Sequence, residues 1–316
     1  FTRQTLSNRG FNPVAIDEEA GGNRLSEILV TESRTLGDRV RRAIQLESSA
    51  IKLGNVHPNA SFNDLNYGHF ERASAAIGQV IDEMDSASVG LLVLEATRKM
   101  MQVVETNTSL GTILLVVPLV VAWREASGSP GLQGNVEARS IAIQSALSGV
   151  LSRLDASDSE QIYQAIRASK AGGLGDRDTM DVNGQAPMRI QDAMQFASAW
   201  DDIALQYTTN FDLVFRIAQR LWLKKQATSG WQDAVRQIQL ELLSERVDSL
   251  IARKRGIDYA REIQARAKSV LVSGDYGSPG FESAWLQLDH EMRDGNHRGN
   301  PGTIADLIAA ALFLLD

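Results

Sequence analysis

No convincing run in this chain alternates apolar and polar residues with the period of two that a half-buried strand requires. The β-branched residues fall instead inside patterns of helical period. From Leu36 onward apolar positions recur at Leu36, Val40 and Ile44, the spacing of one helix face. The same reading predicts helical blocks at 67–84, 89–105, 112–123, 136–154 and 159–169, then at 189–222, 231–254, 257–272, 282–292 and 301–315. Ser88 precedes the second of these blocks, Ser157 and Asp158 precede the fifth, and Pro301 suits the first turn of the last. The expectation is an all-α protein: a single-domain multi-helix bundle with a polar cleft formed by loop-to-helix junctions. Residues 1–35, rich in Asn, Gly and acids, are expected to be a loosely attached arm, and residues 36–316 the helical domain. No repeat of solenoid period is present.

Bulk properties narrow the function. The longest apolar run, Thr112 to Ala122, has eleven residues and contains Pro118, whereas a membrane span needs roughly 20, so it predicts a buried core helix. The first residues lack a basic-then-apolar leader pattern, and the expected location is the cytoplasm. A net charge of −7 argues against a nucleic-acid partner, which needs a basic surface. The chain has no cysteine, which excludes disulfides, thiolate catalysis and cysteine metal sites. The four histidines never fall at i, i+4 around an acid. Walker-A, nucleophile-elbow and dinucleotide fingerprints are also missing, so zincin, P-loop, serine hydrolase and dehydrogenase chemistries are set aside.

Polar residues concentrate at three junctions where a loop meets a helix. A helix N-terminus offers unpaired N–H groups and a partial positive charge, and so can hold an anion without lysine. The first junction runs from Lys52 through Gly54, Asn55 and His57 to Asp64, where Asp64 suits a metal or a cap on the next helix. The second, Asn107-Thr108-Ser109-Leu110-Gly111, opens the apolar 112–123 block. The third is Asn300-Pro301-Gly302-Thr303-Ile304-Ala305-Asp306, in which Thr303 and Asp306 also have the spacing of a capping box. A glycine-rich segment at 172–175 with Asp176, Asp178 and Asp181 suits a phosphate loop or a metal loop, with a surface turn as its plain alternative. Asp201-Asp202 and the basic Arg253-Lys254-Arg255 are further candidates, with solvated faces as their plain alternative.

In order and spacing these segments resemble the triphosphoribosyl-dephospho-CoA synthase family. The resemblance is carried by KLGNVHP-x-ASF-x-DL from Lys52, NTSLG from Asn107, GGLG from Gly172, RKRG from Arg253 and NPGTIADLIAAALF from Asn300. It runs from about Leu36 to the end of the chain. It implies an all-helical enzyme that takes ATP and 3′-dephospho-CoA as substrates and transfers the ribose C1 of ATP to a ribose hydroxyl of the acceptor. Adenine leaves, and the product is a precursor of the prosthetic group of citrate lyase and malonate decarboxylase carrier proteins. Lys52, Gly54, Asp64, Asn107, Thr108, Gly111, Gly302 and Asp306 are the positions carried over.

On that footing Asp64 and Asp306 take metal or base duty with Mg²⁺ expected beside ATP, and Asp202 is a further candidate metal ligand. Lys52, Gly54, Asn55, Asn107, Thr108, Gly111, Gly302, Thr303 and Arg253 would hold the nucleotide and its phosphates. His57 would carry a proton, with an ordinary loop histidine as its alternative. The chain departs from the better-known branch at Leu53, His57, Phe62, Ser109 and Leu110, where that branch has Pro, Asp, His, His and Lys. These departures point to a divergent branch and leave two alternatives: ribosyl or phosphoribosyl transfer to a different cofactor-type acceptor, or a helical nucleotide-binding protein without catalysis. The oligomeric state, a homodimer among the options, is open.

Overall fold

The computed structural model describes residues 34–172, 178–293 and 298–316. The expected arm, all but its last two residues, and residues 173–177 of the glycine-rich segment lie outside the described residues. Thr35–Asp316 form one compact unit.

That unit holds fourteen α-helices among its described residues. They are α1 (Leu36–Ser49), α2 (Tyr67–Glu83), α3 (Val89–Val104), α4 (Leu110–Glu125), α5 (Val136–Ser152), α6 (Ala156–Ala168), α7 (Ile190–Ala197), α8 (Asp202–Thr208), α9 (Asp212–Ala227), α10 (Trp231–Glu245), α11 (Ser249–Arg255), α12 (Ile257–Leu271), α13 (Pro279–Arg293) and α14 (Gly302–Leu315). Among the described residues there is no strand, only an isolated bridge between His57 and Ala60. No helix among them is long and apolar enough to cross a membrane.

Two helices with little amphipathicity organise the rest, as expected of helices buried all round. In α14 every residue from Leu307 to Leu315 is buried, and the helix packs against α1, α4, α8, α9, α10 and α11. Helix α4 buries Ile113 to Val120 without a break, Pro118 included. Proline brings no N–H, so the carbonyl of Leu114, four residues earlier, loses its helical donor. The Tyr207 hydroxyl of α8 donates to that carbonyl at 2.6 Å. This buried phenol, whose pKa burial pushes up, thus ties α8 to the middle of α4.

Two predicted blocks are divided in the structure. Residues 189–222 form α7, α8 and the start of α9. Asp201 caps α8 through the Ile203 amide at 2.8 Å, and Asn210 and Phe211 take left-handed conformations before α9. Residues 231–254 form α10 and α11, separated where Asp248 caps α11 through the amides of Leu250 and Ile251. In both cases the apolar spacing runs on across the turn, and an acid at the N-cap marks the restart. The cap of α2 is Asn66, in a capping box with His69, and Asp64 takes no part in it. Ser88 caps α3 through the Leu91 amide, as its position predicts. Asp155, not Ser157 or Asp158, is the N-cap of α6, and Pro301 lies at the N-cap of α14, one residue before its first turn.

Candidate functional site

The N-termini of α4 and α14 open onto the same cavity, of about 540 Å³. Asn55 and Asp64 reach its wall from the first junction, Asn107, Thr108, Gly111 and Thr112 from the second, and Asn300, Gly302, Thr303 and Asp306 from the third. The three junctions, far apart in sequence, therefore meet in one place. Helices α6 and α7 and the segment between them complete it with an apolar wall that includes Tyr163, Val182, Ile190 and Met194. A space of this size, mostly apolar with a few convergent polar groups, is the usual form of a small-molecule site.

Carboxylates from elsewhere in the chain cap the two converging helices. Asp306 of α14 accepts the Thr112 hydroxyl at 2.6 Å and also the Thr112 backbone N–H, so it satisfies the start of α4. Gly111 permits this approach, because a Cβ there would run into the Asp306 carboxylate. Burial pushes the Asp306 pKa up to about 8 against the lowering effect of Thr112, and the nearby Glu47 charge adds to the rise. Asp248, 1% exposed, accepts the Ile304 amide at 2.8 Å while it caps α11, and so joins the first turns of α11 and α14. Burial lifts its pKa to about 6, against the backbone N–H groups that favour its charge. Thr303 accepts from Ser249 at 3.0 Å, and Asp306 faces away to α4, so the Thr303–Asp306 capping box does not form. Asn107 accepts the Leu110 amide at 3.1 Å, and Ser109 donates to Thr108 at 3.2 Å.

The first junction is held from outside the cavity. Gln239 of α10, fully buried, accepts the Leu53 amide at 3.0 Å and donates to the Leu53 carbonyl and to Asn55. Asn55 in turn donates to Asn300 at 2.5 Å, which links the first and third junctions. On α13, Asp289 accepts the Gly54 amide at 2.8 Å and Arg293 donates to the Asn55 carbonyl at 2.7 Å. Gly54 has a φ of +64° and packs against Met292, so it serves the turn and not the cavity wall.

Several expected site residues lie elsewhere. Lys52 is 0% exposed and absent from the wall; its ammonium lies 3.2 Å from the Glu47 carboxylate and donates to the Glu47 and Ala50 carbonyls. Its three donors are engaged, so the expectation of a phosphate contact does not fit. His57 is buried off the wall and accepts the Asn59 amide through Nδ1. Burial lowers its pKa to about 4, with Arg293 and Lys52 adding to the effect, which leaves it neutral and unsuited to the expected proton relay. Asp202 faces away from the cavity in a two-bond ion pair with Arg246, at 2.9 and 3.1 Å, so the expected metal role is also corrected. Its neighbour Asp201 is the one on the wall, paired with Arg253 at 3.1 Å.

Arg253 and Lys254 both line the cavity, and burial lowers the Lys254 pKa. These are the cations that Lys52 was expected to supply. Glu47, Gln239 and Asp248 were not among the expected residues, and Lys254 stood there only as part of the basic Arg253-Lys254-Arg255 cluster. For Asp248 a signal exists in the N-cap pattern, an acid before Ser249-Leu250-Ile251. For Gln239 and Glu47 none does, because their role comes from partners distant in sequence or from burial.

Fold and cavity define an all-helical protein that admits a small molecule between the N-termini of two buried helices. The chain belongs to the ATP:dephospho-CoA triphosphoribosyl transferase family, whose model matches residues 33–316. Over 95 residues it is 32% identical to a protein of Stutzerimonas stutzeri named as a 2-(5''-triphosphoribosyl)-3'-dephosphocoenzyme-A synthase. That match covers 30% of this chain, and the chain spans about a third, 32%, of the length of that relative. A solved structure from Archaeoglobus fulgidus, assigned as a triphosphoribosyl-dephospho-CoA synthase, is similar at a TM-score of 0.58 and 27% identity, covering 77% of this chain and 95% of that one.

Proposed function

We propose that this chain transfers the triphosphoribosyl group of ATP to a ribose hydroxyl of 3′-dephospho-CoA and releases adenine. A new C1–O bond forms as the C1–N bond to adenine breaks, and the hydroxyl proton ends on the departing base. The observation that carries the reading is the meeting of the three junctions, with Asp64, Asp306, Arg253 and Lys254, around one cavity. Such a displacement passes through an oxocarbenium-like state, so the site needs anchored phosphates, negative charge near C1 and a group to accept a proton.

Arg253, Lys254, Asn107, Thr108 and the first amides of α14 at Gly302 and Thr303 hold the triphosphate in this reading. Among the described residues no three His, Asp or Glu side chains gather as a ready-made metal cage. A cation such as Mg²⁺, which keeps waters and phosphate oxygens as ligands, needs only one or two protein carboxylates. Asp64 and Asp306 would supply the protein carboxylates, and the cation would offset the charge of the triphosphate. The apolar wall of α6 and α7 offers a surface to the nucleobase or to the pantetheine arm. A cytoplasmic location agrees with these substrates.

The experiment is incubation with ATP and Mg²⁺, with and without dephospho-CoA, followed by chromatography for adenine. Adenine that appears only when both substrates are present supports the reading. Adenine formed only with another ribosyl acceptor would favour the alternative transferase, and none with any acceptor would sink both.

A further inference from the structure

We propose that Glu47 is the catalytic base that takes the proton from the acceptor hydroxyl, and that Lys52 is a positioning residue that holds it charged in the cavity wall. The inference rests on the transferase reading above and adds a residue to it. Glu47 sits in the last turn of α1, is 6% exposed, and belongs to the wall of the cavity. Lys52 lies directly behind it, fully buried and outside the wall. Its ammonium is spent on the Glu47 carboxylate and on two backbone carbonyls, and so cannot follow a ligand.

A buried ion pair is an expensive way to stabilise a protein, because desolvation of both charges offsets most of their attraction. When one member faces a cavity and the other is sealed behind it, the arrangement suits a charge kept at a fixed place. Among the other acids of the wall, Asp306 caps α4 through Thr112, Asp201 caps α8 and pairs with Arg253, and Asp64 and Glu105 are exposed, so Glu47 is the buried carboxylate that caps no helix. Lys52 meets the Glu47 carboxylate at Oε1, a buried oxygen, and among the described residues no other side chain engages that carboxylate. Burial raises the Glu47 pKa and the Lys52 charge opposes the rise, which agrees with a base able to hold a proton in passing.

In the step proposed, the oxygen of the acceptor hydroxyl bonds to C1 of the ATP ribose and its proton moves to Glu47. The C1–N bond breaks, adenine leaves with that electron pair, and the proton held on Glu47 passes through solvent to the departing base.

The test is a pair of variants assayed for adenine release and for thermal stabilisation by ATP with Mg²⁺. Glu47→Gln/Lys52→Met replaces the ion pair by neutral groups of similar size, a change that folding tolerates. The expected result is a folded protein that ATP still stabilises, with kcat reduced about 100-fold or more and KM for ATP little changed. Glu47→Asp keeps the charge and the pair but draws the carboxylate back, and is expected to lose at least about tenfold in kcat. If the double variant does not fold, Glu47→Asp decides the matter alone. Turnover of the double variant within about tenfold of the native chain, or an unchanged kcat in Glu47→Asp, would overturn the assignment while leaving the transferase reading in place. Absence of adenine from the native chain would overturn both.

Discussion

Tyr207→Phe isolates one oxygen atom and thereby tests how the site's central helix is held. Removal of the hydroxyl leaves the Leu114 carbonyl of α4 without the donor that stands in for the missing N–H of Pro118. The phenyl ring keeps its volume, so the loss is that of one buried hydrogen bond, about 1–3 kcal/mol for an acceptor left unsatisfied. For a domain of this size that corresponds to a fall in Tm of roughly 2–6 °C. The decisive comparison is Tyr207→Phe in a Pro118→Ala background, where the substituted alanine restores the helical N–H. There the same change should cost less than about half as much, a coupling of at least about 0.5 kcal/mol between the two sites. Urea denaturation of the four proteins measures it. Equal losses in both backgrounds, within about 0.5 kcal/mol, would refute the substitution of a phenol for a backbone donor.

Asp306→Asn and Asp64→Asn should each abolish adenine release from ATP while the far-ultraviolet circular dichroism spectrum stays native; full activity in both would remove these residues from the mechanism. Gly111→Ala should push the Asp306 carboxylate off the start of α4 and lower kcat/KM by about tenfold or more, whereas native kinetics would show that this contact is dispensable. His57 titrates near 4 when folded against 6.5 when unfolded, so the unfolded state binds more protons between those values and stability falls as pH drops from 6.5 to 4. His57→Asn should flatten that part of the stability curve measured by urea denaturation, and an identical slope would contradict the assignment.

Much of the fold was legible in the sequence because helix formation here follows local pattern. The two runs that are apolar on every side, 112–122 and 307–315, mark the two central helices. The divisions at Asp201 and Asn210 were not legible, since apolar spacing continues across them; at Asp248 the acid before Ser249-Leu250-Ile251 is a cap signal, but a single-residue one that the continuing apolar spacing masks. At the site, the family motif placed the right segments but not every side chain. Asn107, Gly111 and Asp306 stand at helix starts, where local position and cavity coincide. Lys52 shows the limit. Its motif reads as a phosphate contact, yet Glu47, five residues earlier and one helical turn from the loop, draws it inward. The clamp from Gln239 spans 186 residues, and no local signal announces it.

Hydrogen–deuterium exchange with and without ATP and Mg²⁺ tests most directly whether the three junctions form one nucleotide site. Exchange should slow together in peptides that cover 47–65, 105–114 and 300–306, and in the 249–255 helix that carries Arg253 and Lys254. Protection confined to one of these segments, or spread over helices remote from the cavity, would contradict the shared site on which the proposed transfer depends.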